Sequence, residues 1–462
     1  MLDVAALEAA KLPMNLVQKL AIAYVLIVLA IIYGYAVGRF QVFPYDTVES
    51  LVQNYQEFAD GDSMERKTSV ATKIKSDLGG DPGRWTYQYP ALAEANSSPR
   101  SIDALDGRSD APRVYVADEH REGYRVITGA LQLRNTFWGG LLLNPDGDII
   151  HSWDLSSSHL KSTARNDLLK NLYGVHVYPD GSVIFVMQER GGGIVKVDAC
   201  SNIVWSLPGS FHHVVSPDEH GNIWSFTGNQ STLDQDMVKI SAETGEIVET
   251  IKMVDIRRAN PDIYVWDLYK FSFADRAELY ATGNMTHGND IEPLPTHLAE
   301  DFPNYSPGDL LISYATNNLV LVLDPNTLKI KWWRVGISDL QHDPDWEPDG
   351  KVSILSNNPR SGKVNSDIVT VDLDQMKHEV SLAGDSVGFL TIVNGRHQLT
   401  PWNTRLVTSA QQGWVFEVDE RGEVVFSFVN NINHEEKKSL HVSEAWRLKE
   451  DYFDSPFWNT CD

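Results

Sequence analysis

The stretch "LVLVLDPNTLKIKWW", Leu319 to Trp333, alternates apolar residues on either side of an Asp-Pro-Asn turn. Apolar runs of period two around such a turn predict a β-hairpin. The phrase has five relatives along the chain. They are "LLLNPDGDIIHSW" from Leu141, "IVKVDACSNIVWSL" from Ile194, "MVKISAETGEIVETI" from Met237, "IVTVDLDQMKHEVSL" from Ile368 and "WVFEVDERGEVVFSF" from Trp414. Successive copies start 43 to 53 residues apart, with one wider gap before Leu319. That spacing suits the four-stranded blade of a β-propeller, and the wide gap is expected to hold an insertion.

A second phrase precedes several of these hairpins: "YGVHVYPDGSVIFVM" from Tyr173, "FHHVVSPDEHGNIWSF" from Phe211 and "QHDPDWEPDGKVSIL" from Gln341, with "THGNDIEPL" from Thr286 as a variant. Each gives a histidine, then in most cases a proline-bearing turn, then another strand, as expected of the inner hairpin of the same blade. Six outer hairpins with matching inner ones predict an all-β, six-bladed β-propeller over residues 116–462. Closure is needed to hide the edge strands, and "SLHVSEAWRLKEDYF" from Ser439 is a candidate to supply the closing strand.

Ahead of the repeats, "LAIAYVLIVLAIIYGYAVG" from Leu20 to Gly38 carries no charge over nineteen residues. A helix needs about 20 to cross the hydrocarbon layer. Residues 1–40 are therefore expected to be a tail and a transmembrane anchor. Lys11 and Lys19 precede the span and only Arg39 follows it closely, so the cation rule puts the body on the non-cytoplasmic, periplasmic side. Residues 41–115 lack a sustained apolar period and contain "ANSSPRSIDALDGRSDAPR", the composition of a stalk and lead-in.

The net charge of −24 argues against nucleic acid and anionic lipid surfaces as partners. Two cysteines, Cys200 and Cys461, exclude a thiolate-built zinc site and a dense disulfide framework. A single bridge between them and a pair of free thiols are both open.

In a propeller the innermost strands line a central channel, so a residue recurring at their starts gathers at one mouth. His176, His213, His287 and His342 occupy comparable places in four inner phrases. Neutral imidazole is a nucleophile and base near pH 7. One ring could form a covalent intermediate while its neighbours donate to developing negative charge. Asp290, Glu292, Asp343 and Asp345 accompany the rings and make a metal the lesser option. No compact ligand motif supports it, so neither metal nor cofactor is expected.

The phrases "THGNDIEPL", "GDLLISYATNNLVLVLDPNTLKIKWW" and "LQHDPDWEPDGKVSIL", in this order inside a six-fold repeat, resemble the bacterial arylsulfotransferase family. The resemblance runs from about residue 120 to 450. It implies a periplasmic six-bladed propeller that moves a sulfuryl group from an aryl sulfate donor to a phenolic acceptor through a sulfohistidine. His342 matches the nucleophile. His287 and Asn289 match the pair that polarises the sulfuryl oxygens and handles the phenolic proton, and His213, with His212 beside it, matches a further channel histidine. The repeat itself adds His176 as a substrate-binding residue, and Gln341 joins it beside the nucleophile. Where the family usually has an arginine, "ISYATNN" has Ala315. Loss of one preorganised donor to a developing anion costs about 10²–10³ in rate. The alternative is therefore a catalytically impaired propeller serving as a scaffold subunit of a membrane complex. A quinoprotein dehydrogenase would need eight blades, against six.

Overall fold

The computed structural model describes residues 86–461, except 107, 109, 161–170, 189–191, 229–234, 267–285, 360 and 362, together with the single positions 28 and 33. Among the described residues no helix is long and apolar enough to cross a membrane, and most of the Leu20–Gly38 stretch lies outside them.

The body is all-β. Of its antiparallel sheets, four carry four strands in chain order, a fifth takes its innermost strand from the C-terminal part of the chain, and a sixth has two further strands added to its outer edge. Their innermost strands are Val442–Leu448, Asn171–Val177, Phe211–Pro217, Gly288–Pro293, His342–Glu347 and Arg396–Leu399. Each of these touches the next, and the last touches the first, so the six sheets are the blades of a closed propeller. Closure is by exchange. Val442–Leu448 comes from the C-terminal end but pairs with Tyr124–Gly129, the first strand that the chain lays down in that blade. This is the role that the sequence suggests for the segment from Ser439.

The hairpins form where aspartate or asparagine organises the turn. Asp198, Asp218 and Asp419 each accept two downstream backbone N–H groups at 2.8 to 2.9 Å. Such side-chain turns account for the acidic signature between alternating runs. The middle strands are buried on both faces because blades stack face to face: Leu319–Asp324 is buried at every position but the last. Outer strands such as Ile247–Ile251 are largely exposed. The wide gap of the repeat contains the helix Met253–Ala259.

The body begins earlier than residue 116. Thr86–Gln88 pairs with Lys438–Leu440, and Ser98–Pro99 and Arg113–Val116 extend the outer edge of the sixth blade. At least residues 86–115 are thus part of the propeller rather than a stalk. The short strands and Ser/Pro/Asp content of this segment hid a role that only pairing to distant residues reveals.

Two devices tie the seam. Glu417 of the sixth blade is fully buried between Arg125 and Arg447 of the first, bonded to Arg447 and 3.2 Å from Arg125, with Thr404 also donating to it. Arg447 lies over Trp402 at 3.9 Å and Arg125 over Phe426 at 4.4 Å. Cys200 and Cys461, 261 residues apart, are joined in a disulfide that pins the C-terminus to an outer turn of the second blade. This settles the two thiols.

Candidate active site

Three of the four sequence-predicted histidines meet near the axis. His213 and His287 approach to 3.1 Å between their Nε2 atoms. The rings of His213 and His342 are 5.7 Å apart, and His212 lies 4.7 Å from His287. With Tyr173, Ala315, Thr316, Leu340, Val393 and Asn394, the rings of His213, His287 and His342 line a chamber of about 240 Å³.

The inner strands deliver these side chains through bulges. Register slips between His342 and Pro344, between Gly288 and Asp290, and between His212 and Ser216. His213, His287 and Asp343 all have positive φ, near 50–56°. For a residue with a side chain this conformation is uncommon and collects at functional sites. A bulge also re-aims the residues that flank it.

His342 is the best-defined ring. Its Nδ1 donates to Asn357 Oδ1 at 2.7 Å, and Asn357 is itself pinned by donating to the backbone oxygens of Thr391 and Asn394. Nε2 is left with its lone pair toward the chamber and accepts the Asn394 N–H at a long 3.2 Å. Burial pushes His342 down to about 4 and His287 down to about 3, and it holds His212 and His213 well below the usual histidine range, helped by neighbouring rings. At pH 7 these imidazoles are neutral, as a nucleophile must be. Asn289 donates to the backbone oxygen of Gln341 at 2.8 Å, and its own Oδ1 is buried without a partner.

Two expectations need correction. His176 does not join the others. It meets Tyr178 edge to face and lines a wider, separate cavity of about 660 Å³. Counted back from the shared turn proline, His176 matches Asp345, and Tyr173 matches His342. The ladder agrees, since Tyr173 pairs with Val186 just before the bulge as His342 pairs with Leu355. Gln341 is wholly buried, and its amide donates to Ser313, Tyr314 and Leu319 of the neighbouring blade. It braces the strand instead of facing the chamber.

Sequence reading missed Tyr173, Asn357 and Asn394, and, in the wider cavity, Arg396, His397 and Glu444. The turn-anchored count points to Tyr173; Asn357 and Asn394 carry no local signal. The wider cavity is acidic. Arg396 bonds Asp290, Asp343 at 2.5 Å and Glu444 at 3.4 Å, and His397 donates to Asp343 at 2.8 Å. Burial works against the Asp343 charge, but Arg396 and His397 hold it down to about 2. Burial raises Asp290 and Asp345 well above the usual carboxylate range and lifts Glu292 to about 7, with neighbouring carboxylates adding to the shift. Between the two spaces lies a constriction of about 20 Å³, shared by His213, His342, Arg396 and Glu444. It has room for about one water. Ala315 borders the chamber, and no cation is among the described residues that line it.

No curated protein matches the chain. Among solved structures it is similar to a protein of unknown function from Bacteroides caccae, at 11% identity over 71% of this chain and 100% of that one, with a TM-score of 0.46. It is also similar to TolB from Acinetobacter baumannii, at 8% identity over 70% and 66% with a TM-score of 0.42. A third similar structure is a catalytically inactive virginiamycin B lyase from Staphylococcus aureus with quinupristin, at 11% over 57% and 71% with a TM-score of 0.36. The sequence itself goes further, because residues 174–431, more than half of the chain and every strand that brings a histidine to the chamber, match the family model described as arylsulfotransferase (ASST): the chain belongs to that family.

Proposed function

We propose that the protein is a membrane-anchored sulfotransferase that passes a sulfuryl group from an aryl sulfate to a phenol by way of His342. The observation that carries this reading is the fixed tautomer of His342, with Nδ1–H held by Asn357 and the Nε2 lone pair facing the chamber. Nε2 exchanges its long contact with Asn394 for the sulfur. The N–S bond forms as the S–O bond to the aryl group breaks, and the aryl oxygen departs as phenolate, accepting a hydrogen bond from the neutral His213–His287 pair. Positive charge that develops on the sulfonated ring is met by Asn357 Oδ1. The acceptor, entering as phenolate beside the same pair, forms the new O–S bond as the N–S bond breaks, regenerating neutral His342. Asn289, beside the pair, handles a sulfuryl oxygen.

The disulfide belongs to an oxidising compartment. Together with the uncharged span from Leu20 to Gly38, it supports a single-pass anchor with the propeller on the non-cytoplasmic side. One observation favours a second reading, a scaffold subunit of a membrane complex: no cation is found among the described residues that line the chamber, where a sulfate ester would need one.

Turnover of 4-nitrophenyl sulfate with a phenol acceptor, compared between wild type and His342→Ala, decides between them. Turnover by wild type alone, with one sulfuryl mass added to the quenched chain when acceptor is omitted, is expected. Equal turnover, or none from either, removes the enzymatic reading.

A further inference from the structure

Adjacent residues of a strand ordinarily point to opposite faces of the sheet. His212 and His213 do not. The ladder between Phe211–Pro217 and Asn222–Thr227 is interrupted after His212, and His213 turns at φ 56°. Their rings consequently meet edge to face at 4.1 Å. His287, itself at φ 51°, brings a third ring from the next blade, 4.7 Å from His212 and 5.1 Å from His213. One nitrogen from each ring lies within 4.8 Å of the other two. Two backbone positions of uncommon conformation thus converge on one small volume.

His212 supplies an independent observation. It is fully buried, and neither of its ring nitrogens has a hydrogen-bond partner. Such a group calls for an explanation, and an ion is among the few available. No carboxylate is among the described residues lining the chamber, and both thiols are committed to the disulfide. The donor set is therefore nitrogen alone.

We propose that His212, His213 and His287 bind one divalent late transition-metal ion, zinc by preference, leaving a coordination position for a ligand from the chamber. Three imidazoles with an open position make an established zinc environment, in which Zn–N distances near 2.0–2.1 Å put ligand nitrogens about 3.3 Å apart. The His213–His287 pair already stands at 3.1 Å, and a nitrogen of His212 lies within 4.8 Å of both. The ion would supply positive charge beside Ala315, where the chamber wall has none, and so favours an anionic ligand. With the ion bound, His213 and His287 act on that ligand through the metal instead of as hydrogen-bond donors. The site shares His213 and His287 with the proposed sulfuryl transfer, and metal uptake is measured without turnover, so the two readings can fail separately.

Untagged full-length protein in detergent, stripped by chelator dialysis, is titrated with Co²⁺ and then Zn²⁺. Uptake of one ion per chain is expected, with the visible absorption of a four-coordinate nitrogen site that Zn²⁺ displaces. His212→Gln and His287→Gln should each weaken Zn²⁺ by about 100-fold or more, beyond what outer-sphere changes usually cost. His397→Gln should not, although His397 belongs with Asp343 and Asp345 to the other cluster of metal-ligating groups. Absence of stoichiometric uptake, or uptake lost in His397→Gln and kept in His212→Gln, overturns the proposal. Should a chamber variant fail to fold, X-ray absorption of zinc-loaded wild type decides, because imidazole nitrogen is expected and a shell with carboxylate oxygen refutes it. Metal uptake without aryl sulfate turnover would leave the ion and remove the sulfotransferase reading; the reverse would do the opposite.

Discussion

The chamber and the acidic cavity are built by the same inner strands, a few residues apart, yet they carry opposite chemistry. In the chamber, burial acts on imidazoles and keeps them uncharged near neutrality. In the cavity, burial acts on carboxyl groups and keeps several of them protonated, with Arg396 stabilising Asp343 as the ionised member. Desolvation disfavours charge in both, and the residue type decides what remains. A sulfate ester would meet Glu292, Asp343, Asp345, Glu347 and Glu444 around the cavity and, among the described residues, no carboxylate around the chamber. The proposed donor is therefore expected from the chamber end, and the strong net negative charge of the chain is not an obstacle there.

The contrast is most easily broken with the two histidines that the repeat seemed to equate. His342→Ala should lower aryl sulfate turnover by about 10⁴-fold or more, as loss of a covalent nucleophile does. His176→Gln, on the cavity side, should stay within about threefold of wild type, and comparable losses from both would dissolve the distinction. Both spaces also depend on the closed ring. Glu417→Ala strands two buried guanidinium groups at the seam and should cost about 3–5 kcal/mol in denaturant unfolding, the usual effect of breaking a buried ion pair. A loss under 1 kcal/mol would mean that the seam is held by packing alone.

Asn357→Ala sharpens the chamber side. It frees the His342 tautomer without touching substrate and should lower kcat by about 10–100-fold, with KM little changed. A change confined to KM would contradict an orienting role. Glu292→Gln sharpens the cavity side. The fold raises this carboxyl from 4.5 to about 7. Its protonated form is therefore the one that folding favours, and that stability is complete below pH 4.5 and lost as pH rises through about 7. The glutamine variant escapes this loss. Its stability relative to wild type should rise across that window by on the order of 3 kcal/mol, read from urea midpoints at several pH values. A flat difference would mean that Glu292 ionises freely.

Much of this was legible in the chain. Alternation around acidic turns marks every outer hairpin, because strand period and turn chemistry are local properties. His342, His287, His213 and Asn289 were legible through motifs that lie at the starts of inner strands. His176 misled because the histidine, and not the turn, served as the reference point. Asn357 and Asn394 stayed hidden because an orienting hydrogen bond between segments tens of residues apart leaves no periodic trace. The pairing of Thr86–Gln88 and Arg113–Val116 with the C-terminal part of the chain was invisible for the same reason.

The amino-acid sequence by itself determined that the body is a β repeat, how many blades it holds, and which imidazoles stand at the strand starts. Side-chain alternation and turn propensity need no distant partner. Tertiary structure alone decided which rings share a space, whether the two thiols join, and which carboxyl groups Arg396 pairs. Each of those outcomes depends on a bulge that redirects side chains, or on ring closure that brings first and last blades together.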